Sequence, residues 1–302
     1  MAPGESNIEL PIARPLPPEY RLERLTLKLS DGYQTSVFRI RPKAGQQAAR
    51  RLPVVYVHGI QSHPGWFVSS AAMLAGEGRD VFLFTRRGSG DNVQARGDAP
   101  SAGQLLDDVR AAREFALAGS GADRCHLVGV SWGGKLLAAY VASGRAAHVA
   151  SLTMIAPGIC PRVDVSGRTK LAIALSLAVS PRRPFDIPLN QVELFTENEE
   201  MRDYLRRDPL RLHRATARFL YASRRLDRML AKSPKGAISV PTALILASRD
   251  RIIDNGRTTA IIERLTAGKA AVDILEGAHT LEFEADTGPF FETLRKAIAA
   301  AE

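Results

Sequence analysis

Gly129-Val130-Ser131-Trp132-Gly133 is the stretch whose reading decides the fold. It follows an apolar run, Cys125-His126-Leu127-Val128, and precedes Gly134 to Tyr140, which has the pattern of a helix. A G-x-S-x-G pentapeptide at a strand-to-helix junction is a nucleophile elbow. Its glycines remove Cβ atoms that would clash in a tight turn, leaving the serine hydroxyl exposed above the sheet edge. A glycine-rich turn that happens to hold a serine is the alternative. The flanking strand and helix, with the partners found below, favour a reactive hydroxyl.

Outward from the elbow, the chain alternates between two periodicities. Leu22 to Leu29 and Thr35 to Arg41 alternate apolar and polar residues around Asp31-Gly32, as an antiparallel hairpin does. Leu52 to Val57, Val81 to Phe84, Cys125 to Val130 and Ala150 to Ile155 are short apolar runs suited to strands buried on both faces. Helical patterns separate them: Phe67 to Ala75, Ala102 to Leu117 and Lys135 to Ser143. That alternation predicts an α/β fold with a mostly parallel, doubly wound sheet and right-handed crossovers.

The alternation stops at Pro157. Residues 157–240 show helical stretches and prolines but no clear β run, and they read as a helical lid inserted after the sixth strand. Strand, helix and strand patterns then resume at Thr242 to Ala247, Gly256 to Leu265 and Val272 to Leu275, before a closing helix over Pro289 to Ala300. The organisation expected is a Pro-rich N-terminal extension over 1–20, core over 21–156, lid over 157–240, and core again over 241–302.

Composition bounds the function classes. The chain has 302 residues, 45% hydrophobic and 24% charged, as ordinary globular proteins do. Its net charge is +9, and residues 157–240 hold 16 basic and 9 acidic side chains, so +7 of the excess sits in the insertion. A solvated arginine-rich surface explains this, as does attraction to anionic lipid or acidic substrates. No zinc-ligand spacing, RNA-binding signature or basic region with heptads accompanies it, so no nucleic-acid partner is expected. Cys125 and Cys160 are the two cysteines and give no disulfide framework, which points to reduced thiols in a cytoplasmic protein. Met1 to Tyr20 carries five prolines and no continuous apolar stretch, unlike a secretory signal. The longest apolar run, Leu171 to Val179, is too short to span a bilayer.

A serine hydroxyl needs a base during attack, and histidine suits the role with an unperturbed pKa near 6.5. His279, in Glu276-Gly277-Ala278-His279-Thr280, follows the last strand and so stands on the same sheet edge as Ser131. Asp250 ends the loop after Thr242 to Ala247 on that edge and is the candidate to orient the imidazole. Asp254 competes, with helix N-capping as its other role. The chain order Ser131, Asp250, His279 is the order used with nucleophile elbows. Two backbone amides are expected to hold an oxyanion: that of Trp132, at a helix N-terminus, and that of Ile60, in His58-Gly59-Ile60-Gln61 after the third strand. His58 reads as a loop-shaping residue rather than a base.

Val54 to Gly59, Thr85 to Gly90, Gly129 to Gly134, Ser248 to Asp254 and Glu276 to His279 together resemble the successive landmarks of α/β-hydrolases. The set is most similar to the monoacylglycerol lipase and lysophospholipase-like (serine aminopeptidase-like) branch, which carries a lid after the sixth strand. It departs from that branch at Trp132, where methionine is common, and in its arginine-rich lid. The resemblance implies hydrolysis of small-molecule acyl esters of lipid type by Ser131, Asp250 and His279, without metal or organic cofactor. Thioesterases, peptidases and carbon–carbon bond hydrolases keep the same three residues, and a non-catalytic binder usually lacks one of them. Trp66 and Phe67, after the oxyanion loop, are candidate acyl-pocket residues, with core packing as their other role. Arg86 to Gly90 reads as a turn beside the site. Basic residues around Leu171 to Val179 suggest an interfacial helix, hence a membrane-peripheral protein; a helix packed over the site is the other reading.

Overall fold

The computed structural model describes residues 10–43 and 51–302. The chain opens with an antiparallel pair, β1 (Tyr20–Lys28) and β2 (Gln34–Pro42), in the expected hairpin. There follow β3 (Val54–Val57), a 3-10 turn (Pro64–Phe67), α1 (Val68–Gly76), β4 (Val81–Phe84), α2 (Ala102–Ser120), β5 (Cys125–Val130), α3 (Trp132–Ala142) and β6 (Val149–Ile155). Ser101 caps α2 by accepting from the Gln104 amide, and Gly121 ends it in the left-handed region.

The insertion then runs through α4 (Gly167–Val179), β7 (Pro184–Asp186), a 3-10 turn (Val192–Leu194), α5 (Glu199–Arg207), β8 (Arg214–Thr216) and α6 (Ala217–Lys232). The all-helical expectation is therefore corrected. β7 and β8 form a two-stranded antiparallel sheet, Phe185 opposite Ala215. Each strand is three residues long, too short for an alternation to register, and nothing local announces the pairing. The core resumes with β9 (Thr242–Ala247), α7 (Asn255–Thr266), β10 (Ala271–Leu275), a 3-10 turn (Leu281–Phe283) and α8 (Gly288–Ala299).

The eight core strands form one sheet in the order β1-β2-β4-β3-β5-β6-β9-β10. β1–β2 and β2–β4 are antiparallel; every other neighbouring pair is parallel. Every residue of β3, β4, β5, β6 and β9 is buried, because helices cover both faces. β5 stands near the middle, so its C-terminal end is flanked by the ends of β3 and β6.

The expected N-terminal extension is docked where it is described; residues 1–9 lie outside the described part. Tyr20 already belongs to β1. Ala13 donates its amide to Gly65, Tyr204 donates to the Pro11 carbonyl, and Arg14 donates to the Glu284 carbonyl. Leu10 is buried.

Two glycines set how closely β5, the elbow and β3 approach. A Cβ on Gly129 would lie 2.8 Å from the Gly134 backbone, and one on Gly133 would overlap the carbonyl oxygen of Val57 and crowd that of His58. Gly133→Ala is therefore expected to destabilise the chain by about 4 kcal/mol or more, lowering Tm by about 6 °C or more. Gly121→Ala has open space and bears only left-handed strain, about 1–2 kcal/mol. Thermal unfolding of the two variants side by side checks the ranking.

Candidate active site

Ser131 occupies the turn between β5 and α3 with φ +51° and ψ −122°, a strained conformation for a residue with a side chain. Backbone bonds hold it there: the Ser131 amide donates to the Ile155 carbonyl at 2.8 Å, and the Ser131 carbonyl accepts from Gly158 at 2.8 Å and Lys135 at 3.3 Å. The turn leaves the hydroxyl half-buried at the C-terminal edge of the sheet.

His279 and Asp250 come to the same edge. His279 Nε2 lies 2.8 Å from Ser131 Oγ, and Nδ1 lies 2.7 Å from Asp250 Oδ2. With Nδ1–H donating to the carboxylate, Nε2 of the neutral ring faces the serine as an acceptor. Asp250 is oriented in turn, since its Oδ1 accepts the amides of Ile252 at 2.7 Å and Ile253 at 3.0 Å. Asp254 is elsewhere, capping α7 by accepting from the Arg257 amide at 3.0 Å.

The His279 loop is tied on several sides. Thr280 donates its amide to Phe195, whose ring stands edge-on to His279. Ala278 donates its amide to Glu284 Oε1. Glu282 reaches α1, where Ser70 donates its amide to Oε1 at 2.8 Å and its hydroxyl to Oε2 at 2.6 Å. Burial pushes the Glu282 carboxyl up to about 7, with the Ser70 bonds opposing the shift.

Of the proposed oxyanion donors, Trp132 begins α3, where first-turn amides have no intrahelical acceptor. Ile60 follows Gly59, and a Cβ on Gly59 would stand 3.6 Å from Ser131 Oγ. Among the described residues neither amide donates to a protein acceptor. His58 is fully engaged: Nδ1–H donates to the Gly59 carbonyl at 2.9 Å and Nε2 accepts the Arg86 amide at 3.2 Å. Burial holds its pKa well below the usual range, so it shapes the loop as a neutral ring.

The acyl-pocket expectation for Trp66 and Phe67 gives way to packing. Both are buried; Phe67 stacks on Tyr56, and Trp66 packs between Phe195 and Phe283. The Trp66 indole donates to Asp208 Oδ2 at 2.7 Å. Asp208 also accepts from His63 Nε2 at 3.0 Å, so a wholly buried pair joins the end of α5 to the loop after β3. Other contacts carry no sequence motif. Trp132 Nε1 and Lys135 Nζ both donate to Ser223 on α6, at 2.9 and 3.0 Å, and Lys135 pairs with Asp227.

Against this geometry, the family profile described as "Serine aminopeptidase, S33" matches residues 48–286. Phospholipase YtpA of Bacillus subtilis (strain 168) is 22% identical over 205 residues, 67% of this chain and 76% of the relative. The Saccharomyces cerevisiae monoglyceride lipase, solved as a soluble variant with a substrate analogue, superposes with a TM-score of 0.78 at 17% identity, covering 95% of this chain and 96% of that one. The Paleococcus ferrophilus monoacylglycerol lipase gives 0.75 at 17% identity, covering 93% and 100%. At these identities the superpositions establish the shared α/β-hydrolase fold.

Glu282 supplies a pH test of the loop. Between about pH 4.5 and 7 the folded state keeps a proton that the unfolded state releases, so this group makes stability fall as pH rises through that window. Glu282→Gln removes the dependence while keeping an acceptor for the Ser70 amide. The variant is expected to melt higher than wild type at pH 8, by at most about 3 kcal/mol in stability, with the gap closing towards pH 5. Calorimetry at the two pH values checks it.

Proposed function

This chain belongs to the serine aminopeptidase S33 family of α/β-hydrolase-fold serine hydrolases, and on that premise we propose that it cleaves carboxylic esters of lipid-like acyl chains through Ser131, His279 and Asp250. The observation that carries the reading is the unbroken chain from Ser131 Oγ to His279 Nε2 at 2.8 Å and from His279 Nδ1 to Asp250 Oδ2 at 2.7 Å. As Ser131 Oγ attacks the acyl carbonyl, His279 Nε2 takes its proton and Asp250 faces the resulting imidazolium. The Trp132 and Ile60 amides hold the oxyanion. Collapse expels the alcohol, which leaves with the proton from Nε2, and the acyl group stays on Ser131. Water then attacks the acyl-enzyme, giving a proton to Nε2; the second collapse frees the acid and returns that proton to Ser131.

Charge supports an ester over a peptide with a free N-terminus. The insertion carries 16 basic against 9 acidic residues, a surface that repels the ammonium an aminopeptidase must hold. A relative named as a phospholipase points the same way.

Residues 157–240 act in this reading as a lid whose α4 rests on lipid. Leu171, Leu175 and Val179 line one face of α4 at 63%, 63% and 84% exposure, and Ser176 is the buried residue of the helix. Arg168 and Lys170 at one end and Arg182 and Arg183 beyond the other supply charge for anionic headgroups. No helix among the described residues is long and apolar enough to cross a membrane.

Ser131→Ala and His279→Ala are each expected to lower p-nitrophenyl ester turnover by about 10³-fold or more, and Asp250→Asn by about 10²–10⁴-fold. Asp254→Asn should keep most of it. A fluorophosphonate adduct should form on wild type and be lost in Ser131→Ala; loss of activity in Asp254→Asn but not in Asp250→Asn would reverse the acid assignment.

The double variant Leu171→Glu/Leu175→Glu is expected to lower the ratio of vesicle-presented to soluble ester turnover at least about tenfold, since each Leu contributes about 1.5–3 kcal/mol when buried. Sedimentation with phosphatidylglycerol vesicles should fall in parallel; an unchanged ratio and unchanged binding would refute docking through α4.

A further inference from the structure

Arg86 is the largest wholly buried side chain among the described residues, 1% exposed, and it stands behind the loop that carries Ile60. One guanidinium nitrogen, Nη2, donates to the Gly59 carbonyl at 2.8 Å and to the Ile60 carbonyl at 3.0 Å. The guanidinium carbon lies 4.6 Å from the Trp132 ring centre and 5.8 Å from that of Phe219. Among the described residues Nε has no hydrogen-bond partner and no carboxylate forms an ion pair with Arg86. Burial lowers its pKa to about 9. The neighbouring Arg87 shows the ordinary use of such a residue: it pairs with Asp108 and Asp31. A buried cation without a counter-charge is expensive to hold, so its position calls for a reason beyond packing.

The reason lies in the peptide it grips. The Gly59 carbonyl and the Ile60 amide belong to one trans peptide plane, and they point in opposite directions. The carbonyl oxygen accepts from both Arg86 and His58, so it is fixed towards the interior. The Ile60 N–H is thereby turned the other way. A cation bonded to the carbonyl also draws electron density through the amide, which makes the N–H a stronger donor.

We infer that Arg86 is a positioning residue that orients and polarises the Gly59–Ile60 peptide, so that the Ile60 amide stabilises the oxyanion more strongly than it stabilises the bound ester. This rests on the assignment of Ser131 as nucleophile and Ile60 as oxyanion donor. The charge acts through the peptide, touching no reacting atom, and it simultaneously braces Trp132, the residue that carries the other donor.

The test is a series at one position: Arg86→Lys keeps the charge, Arg86→Gln keeps a neutral donor, and Arg86→Met keeps only the stem over Trp132. Each is assayed on a soluble ester after melting curves establish a working temperature at which it is folded. Removing one oxyanion donor outright typically costs about 10²–10³-fold. Weakening one should lower kcat about 10–10²-fold in Arg86→Gln and Arg86→Met, with KM within about twofold and partial recovery in Arg86→Lys. A trifluoromethyl ketone, whose adduct with Ser131 bears the oxyanion, should lose affinity by the factor that kcat/KM loses. If Arg86→Met does not fold, the Lys–Gln comparison decides.

Folded neutral variants with wild-type kcat, or with raised KM and unchanged kcat, overturn the inference and leave Arg86 as a packing or substrate-binding residue. Ser131→Ala is carried alongside. If it retains turnover, the nucleophile assignment fails; if it is inactive while the Arg86 series matches wild type, only the present inference fails.

Discussion

The site depends on one strained backbone turn. Ser131 holds a positive φ at the end of the central strand β5, a conformation that costs roughly 1–3 kcal/mol for a residue with a Cβ. It persists because Ile155, Gly158 and Lys135 bond its backbone on three sides and because Gly129 and Gly133 leave room for α3 to leave the sheet sharply. The strain lifts the hydroxyl off the sheet edge. It also sets the start of α3 at Trp132, directly after the hydroxyl.

Around that turn the polar groups are arranged in layers. Asp250 is held by two amides, His279 by Asp250, and Ser131 by its backbone, so each of the three groups is positioned by its neighbours. The opposite wall follows the same pattern: His58 and Arg86 grip the Gly59 carbonyl from within the core. Fixed dipoles of this kind need no reorganisation when charge appears.

Much of this was legible in the chain. The apolar runs at Val54 to Val57, Cys125 to Val130 and Thr242 to Ala247 mark strands because both their faces are buried. Ser131, Asp250 and His279 stand out because loops after parallel strands converge on one edge. What escaped is what long-range packing decides. β7 and β8 are too short to alternate, and their partners lie some thirty residues apart. Trp66 and Phe67 have the composition of a pocket wall, yet Asp208, Phe195 and Phe283, far away in sequence, pack Trp66 into the core. Arg86 looks like a turn residue beside Arg87; among the described residues Arg87 pairs with Asp108 and Asp31, whereas Arg86 bonds to the Gly59 and Ile60 carbonyls.

The bonds from Trp132 and Lys135 to Ser223 decide which part of the insertion is anchored to the core. They join α6 to the first turns of α3, and Thr216 and Arg218 add a second junction to Asp98. α6 is thus tied to the elbow helix at one junction and to the loop before α2 at the other. α4, by contrast, packs mainly against α6 and is largely exposed, with Ser176 its buried residue. Among the described residues, the side-chain bonds that tie the insertion to the elbow helix run through α6 and none through α4.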